Sequence, residues 1–212
     1  AMFYIDPKGD TFAPYILKAA AEAKGKPFYF VSLRDNELGD WAPFSGGDSR
    51  AGLARLQSAL GLELSGDPGT DFYKTQELRA IAKAFSKSRK ILSLAKAMQG
   101  NDGAAKASAE LDRWSAVKSL CPKGKGFSIA KALKEGAVVY LRGSLDDSII
   151  KAATKVFIAE TIQEAARLSS TRKHHLTIVV DEVRFLASKE LGDALATIVG
   201  FDVNLVLAYQ SI

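Results

Sequence analysis

The sequence predicts an α/β protein: a parallel sheet with helices on both faces, interrupted by an all-α insert. Three observations lead there. Short apolar runs occur at MFYI (2–5), PFYFVS (27–32), AVVYL (137–141), LTIVV (176–180) and NLVLAY (204–209). None alternates polar with apolar, as expected of strands buried on both sides. Helical periodicity separates most of them, the pattern of a doubly wound sheet. Between the second and third runs this alternation stops for about a hundred residues, which read first as loop and then as helix.

In chain order, residues 12–23 form the first expected helix, stopped by Gly25 and Pro27. Residues 34–47 (RDNELGDWAPFSGG) are rich in turn formers. A helix over 48–60 is capped by Asp48 or Ser49, carries Leu53, Leu56 and Leu60 on one face, and ends at Gly61. The stretch LSGDPGT (64–70) has the composition of a linker. Beyond it, Leu78, Ile81, Ala82 and Phe85, then Ile91, Leu94, Ala95 and Met98, repeat at helical spacing. The pattern breaks at residues 100–103 and resumes with Ala107, Leu111 and Trp114. Residues 149–168, behind the capping pair Asp146-Asp147, and residues 185–199 are the last expected helices. The sheet domain is thus expected over 1–65 and 123–212, with the all-α insert at 66–122.

Composition excludes several classes. The 212 residues are 47% hydrophobic and 25% charged, so the chain is neither disordered nor fibrous. No apolar run approaches the ~20 residues of a membrane helix. The single cysteine, Cys121, forms no internal disulfide, and with only His174 and His175 beside it no structural zinc module is available. Cys121 is expected to be a loop or half-buried thiol, the two histidines to lie on an exposed loop, and Trp41 and Trp114 in the core. The chain enters its first strand at once and stops on its last, from which an excised part of a longer protein is expected.

Ligands of open parallel sheets bind beyond the carboxyl ends of strands. There the sequence places Asp6-Pro7-Lys8-Gly9-Asp10, the pair Asp181-Glu182, and Tyr209-Gln210-Ser211. An apolar strand ending in Asp-Glu has the Walker B form, in which the Asp holds the water shell of Mg²⁺ and the Glu activates the attacking water. A glutamine at the tip of the neighbouring strand is placed to sense a γ-phosphate. The plainer alternative is that Asp181 caps the helix that follows. No GxxxxGK[ST] phosphate cradle occurs; Lys123-Gly124-Lys125-Gly126 has the wrong spacing and follows no strand.

Together, FYIDPKGD (3–10), WAPFSGGD (41–48), TIVVDE (177–182) and VNLVLAYQS (203–211) resemble the TraD/TraG-type coupling proteins of conjugation and type IV secretion. The resemblance implies a RecA-like motor, an incomplete P-loop NTPase domain whose Walker A segment lies upstream. It implies ATP and Mg²⁺ as cofactors, with Asp181 at the metal and nucleotide, Glu182 and Gln210 catalytic, and Asp6 and Lys8 near the nucleotide. It further implies a homo-hexamer at the cytoplasmic side of the bacterial inner membrane. That assembly passes single-stranded DNA, with its relaxase and relaxosome proteins, to the type IV secretion channel. This segment alone, lacking the cradle, is expected to be inactive. Two positions depart from the family: Ala42 stands where an Asn precedes Pro-Phe, and residues 190–212 contain no arginine for a trans-acting finger.

Charge points to a second function. Residues 74–125 hold twelve basic and four acidic side chains, a net +8, whereas the seventeen basic and twenty acidic residues elsewhere leave −3. The insert is therefore the expected nucleic-acid or partner contact, through Lys83, Lys87, Arg89, Lys90, Lys96, Lys106, Arg113 and Lys118. The rival reading is a recruitment module for DNA or relaxosome proteins with little or no ATPase activity of its own. A DNA translocase of the FtsK or HerA kind fits the DPKGD motif and the insert less well.

Overall fold

The computed structural model describes residues 1–35, 39–183 and 198–209. Five strands, β1 (Met2–Asp6), β2 (Phe28–Ser32), β3 (Val138–Arg142), β4 (Leu176–Val180) and β5 (Val203–Leu207), form one all-parallel sheet in the order β2-β3-β1-β4-β5. β1 lies at the centre, pairing with β3 from Met2↔Val138 to Asp6↔Arg142 and with β4 from Met2↔Thr177 to Ile5↔Val180. Both its edges are thus paired, and Phe3 and Ile5 are fully buried on one face, while Met2 and Tyr4 on the other are half-buried. All five expected strands are present, the last ending two residues earlier than its apolar run.

Strand order fixes the faces. Right-handed crossovers put α1 (Ala13–Ala23), which links β1 leftward to β2, on one face. The connections from β2 to β3 and from β3 to β4 run the other way and lie on the opposite face. Residues in register share a face, so Tyr4, Tyr140 and Phe30 stack on the α1 side, with centroids 5.9 and 5.5 Å apart. On the other side Phe3 packs against Phe157 of α7 (Ser148–Arg167).

The helix α7 is buried nearly all round, because it lies between the sheet and the helical segment that follows β2. That segment comprises α2 (Ser49–Ala59), α3 (Pro68–Phe85), α4 (Ile91–Met98), α5 (Ala105–Ser115) and α6 (Ile129–Glu135). Apolar faces read from the sequence point inward: Leu56, Ile81, Phe85, Ile91, Leu94, Met98, Leu111 and Trp114 join one continuous core with the sheet residues. Trp41 also lies in that core, edge-on to Phe157 at 5.0 Å.

Three expectations need correction or qualification. The stretch 64–70 is not all linker, for α3 begins at Pro68. Pro68 fits the first helical turn, and the Asp67 carboxylate accepts the Thr70 amide at 3.0 Å. Helix α6 was not foreseen; its seven residues are too few for periodicity to show, although Ser128 caps it and Gly136, in the left-handed region at φ 65°, ends it. The helix expected over 185–199 falls mostly outside the described residues.

The helical segment is fastened to α7 by a buried polar clamp. Arg55 of α2 pairs with Glu160 at 3.3 Å, donates to Gln163 of the same helix, and reaches the Gly46 carbonyl at 2.8 Å. Arg55 and Glu160 are both under 5% exposed. A methyl group at Gly46 would overlap the Glu160 carboxylate, which explains the Gly46-Gly47 pair in the loop. Burial drives the Glu160 carboxyl up to about 7 despite the guanidinium beside it.

Candidate functional site

The carboxyl ends of β1, β3 and β4 converge, and the loop after β1 organises them. Asp6 is buried, and its carboxylate accepts the Gly9 amide at 2.7 Å, the Asp10 amide at 2.6 Å and the Tyr140 hydroxyl at 2.5 Å. Its charge is spent inside the protein, so it shapes the loop rather than facing solvent. Burial and this carboxylate both raise the Tyr140 phenol, which stays a donor. Gly9 takes φ 80°, in the left-handed region, and a Cβ there would come within 2.8 Å of Arg34 Nη2. Asp10 accepts the amides of Phe12 and Ala13, starting α1, and these bonds lower its carboxyl.

The loop so held presents Lys8 to the end of β4. Its ammonium pairs with Oε1 of Glu182. Glu182 is 1% exposed and has φ 52°, an uncommon backbone for a non-glycine residue and a mark of local constraint. Asp181, next to it, is partly exposed; its amide donates to the Ile5 carbonyl at 3.0 Å, and its carboxylate accepts the Glu182 amide at 3.0 Å. Alternation along β4 turns Asp181 to the same sheet face as Val179, the face that carries Tyr4 and Asp6. Tyr4 is raised first by burial and next by Asp181. Thus one acid is buried and ion-paired while its neighbour remains accessible.

Beyond β5, the Ala208 amide donates to the Val180 carbonyl at 2.9 Å, and Val183 donates to Ala208 at 3.2 Å. The chain before Gln210 is therefore fixed against the Asp-Glu turn; Gln210 itself lies outside the described residues. Two residues that the sequence reading passed over complete the edge. Arg34, beyond β2, donates to the Gly143 carbonyl at 2.6 Å and the Lys8 carbonyl at 3.0 Å, tying three strand ends together. Arg142 closes β3, donates to the Asp10 carbonyl at 3.2 Å and stacks over Phe30. Both are the first cations after apolar runs, a signal the sequence carried.

Among the described residues no three His, Cys, Asp or Glu side chains gather into a metal cage. A magnesium ion does not need one, because one or two carboxylates with water and phosphate oxygens suffice. Asp181 fits that role. The described residues provide no counterpart for the phosphates. The fit is to the metal end of a nucleotide.

The basic residues of the insert differ in the bonds they make within the protein. Lys83, Lys87, Lys90, Lys96 and Lys118 are exposed. Arg89 is partly buried, bonds the Gly47 carbonyl at 3.0 Å and covers Phe85. Lys106 donates to Gly61 at 3.3 Å, and Arg113 pairs with Glu110 at 2.8 Å and also reaches Ser148. Ser119, beside Lys118, donates to the Leu33 carbonyl at 2.6 Å, so this end of the insert lies near the carboxyl end of β2.

No family model matches the chain. A curated relative, "Mobilization protein A" of Escherichia coli, is 35% identical over 75 residues, which are 35% of this chain and 14% of that protein. Among solved structures, the bacterial conjugative coupling protein TrwBdeltaN70 in complex with sulphate superposes with a TM-score of 0.62 at 12% identity, over 99% of this chain and 63% of that one. VirB4 of Thermoanaerobacter pseudethanolicus gives 0.59 at 14% identity, over 99% and 62%. The plasmid coupling protein TrwB in complex with ADP and Mg²⁺ gives 0.54 at 12% identity, again over 99% and 63%. The chain therefore spans less than two thirds of these structures, and its described residues have an all-parallel α/β fold similar to those of TrwB and VirB4.

Proposed function

We propose that the chain is part of the ATP-dependent motor of a TraD/TraG-type coupling protein. The observation that carries this reading is the end of β4, where a solvent-accessible Asp181 adjoins a buried, ion-paired Glu182 beside the neighbouring strand tip. On this reading Asp181 would hold Mg²⁺ through water, and Glu182 would accept the proton of the attacking water. Lys8 keeps Glu182 oriented, and Gln210 would contact the γ-phosphate. Asp6 acts on the nucleotide indirectly, by setting the loop that carries Lys8. Bound Mg·ATP supplies the phosphoryl group, the leaving group and the metal's charge.

The phosphate cradle then comes from a Walker A strand and helix elsewhere in the longer protein. The sheet has room for them: on the α1 side Tyr4, Val179 and Val206 are partly or largely exposed, and among the described residues β5 pairs only with β4. The division into motor parts (1–65 and 123–212) and an all-α insert (66–122) belongs to the same proposal. So do the hexamer, the inner-membrane location, and delivery of relaxase-bound single-stranded DNA to the secretion channel. A second reading, a recruitment module without turnover, is favoured by the +8 charge of residues 74–125.

ATP hydrolysis by the longer protein, with and without single-stranded DNA, separates the two. Turnover stimulated by DNA and lost in Glu182→Gln is the expected result. Turnover indifferent to Glu182, or none at any DNA concentration, would overturn the motor reading.

A further inference from the structure

The outward face of α3 carries a feature that neither the fold nor the nucleotide site uses. Phe72, Gln76, Arg79 and Lys83 follow one another at spacings of four, three and four, so they form a single stripe along the helix. The opposite side, with Ile81, Ala84 and Phe85, is buried and fixes the helix against the core. Phe72 is 60% exposed and the adjoining Tyr73 is 69% exposed. Their rings meet edge to face at 5.5 Å, leaving broad aromatic surface in water.

Acidic side chains near this stripe are turned away from it. Asp71 accepts the amides of Ser65 and Gly66, each at 2.8 Å, and lies 4.0 Å from Lys74. Glu77 accepts the Ala107 amide at 2.9 Å. Past the helix end the positive surface continues through exposed Lys87 and Lys90. From Phe72 to Lys83 the stripe runs about 16 Å at the α-helical rise. Two exposed aromatic rings leading into a line of cations are what a flexible polyanion with free π faces requires.

We propose that this face of α3 binds single-stranded nucleic acid, with bases stacked on Phe72 and Tyr73 and the phosphate backbone held by Arg79 and Lys83. The proposal deepens the reading of the insert as a nucleic-acid contact and rests on it. A duplex keeps its bases paired and stacked, so the aromatic end of the stripe gains little from one. An unpaired strand offers both bases and phosphates.

The test measures binding of the 212-residue chain to a labelled oligothymidylate, to an abasic strand of equal length and charge, and to a duplex of equal length, by fluorescence anisotropy over a range of salt. Stacking predicts that the abasic strand binds the unaltered chain much more weakly than oligothymidylate, a comparison that does not depend on any variant folding. Phe72→Ala and Tyr73→Ala should each weaken oligothymidylate binding by at least about fivefold with the salt dependence unchanged. Arg79→Gln with Lys83→Gln should lower the slope of log affinity against log salt by about 1.4. Equal binding of abasic strand, duplex and oligothymidylate, with both aromatic variants behaving as the unaltered chain, would overturn the stacking face while leaving the insert a phosphate-binding surface. No binding of any strand at low salt would overturn the nucleic-acid reading of the insert as well, and would leave an acidic protein as the partner of this face.

Discussion

Replacing Arg55 by Met tests the clamp between α2 and α7, and its outcome depends on pH. Arg55 and Glu160 are both buried, and the guanidinium also serves the Gly46 carbonyl and Gln163. Removing one partner of such a pair leaves the other charge stranded, at a cost of about 3–5 kcal/mol. Burial already holds the Glu160 carboxyl at about 7 instead of 4.5. The folded state therefore takes up this proton more readily than the unfolded chain. The stability this confers is complete below about pH 4.5 and is lost as pH rises through about 7.

Without Arg55 the carboxyl rises further, because burial and the nearby Glu164 still raise it and the guanidinium that lowers it is gone. At about pH 8 the parent's carboxyl ionises beside Arg55 while the variant's must keep its proton, which adds ~1.4 kcal/mol to the lost hydrogen bonds, so urea unfolding should show Arg55→Met less stable by ~3 kcal/mol. At about pH 5.5 the carboxyl is protonated and only the lost hydrogen bonds remain, ~1–2 kcal/mol. Adding Glu160→Gln to Arg55→Met should remove the pH dependence, recovering roughly 1.4 kcal/mol at the higher pH and little at the lower. A loss below ~1 kcal/mol at about pH 8, or one that does not change with pH, would refute the buried-charge account of the clamp.

Further outcomes follow from the loop and from the lone thiol. In Asp6→Asn one acceptor becomes a donor, facing either the Gly9 amide or the Asp10 amide and Tyr140 hydroxyl together, and chemical denaturation should show a loss of roughly 2 kcal/mol. In the longer protein the same change should lower ATP turnover more than nucleotide affinity, because it displaces Lys8 and through it Glu182. Cys121 is half-buried, and burial pushes its thiol up to about 11. Alkylation at neutral pH should be slow in the native chain and become rapid in denaturant; fast native labelling would contradict the burial.

Much of this molecule is legible without coordinates, because strand burial and helix amphipathicity are local patterns. The five apolar runs, the inward faces of α3, α4 and α5, and the Asp-Glu end of β4 all follow from spacing alone. Residue type also locates polar groups beyond strand ends, although it does not say which of them face solvent. Asp6 and Asp181 look alike in sequence, yet one is buried with three donors and the other is accessible. That difference depends on Tyr140, more than a hundred positions away in the chain and brought beside Asp6 by the pairing of β1 with β3. The Lys8–Glu182 pair and the Arg34 tie are of the same kind, joining residues that only strand order makes neighbours. Sequence patterning set which segments are buried and which strand ends are charged. Tertiary structure decided which of those charges are consumed within the protein and which remain for a ligand, because desolvation and hydrogen bonding depend on neighbours distant along the chain.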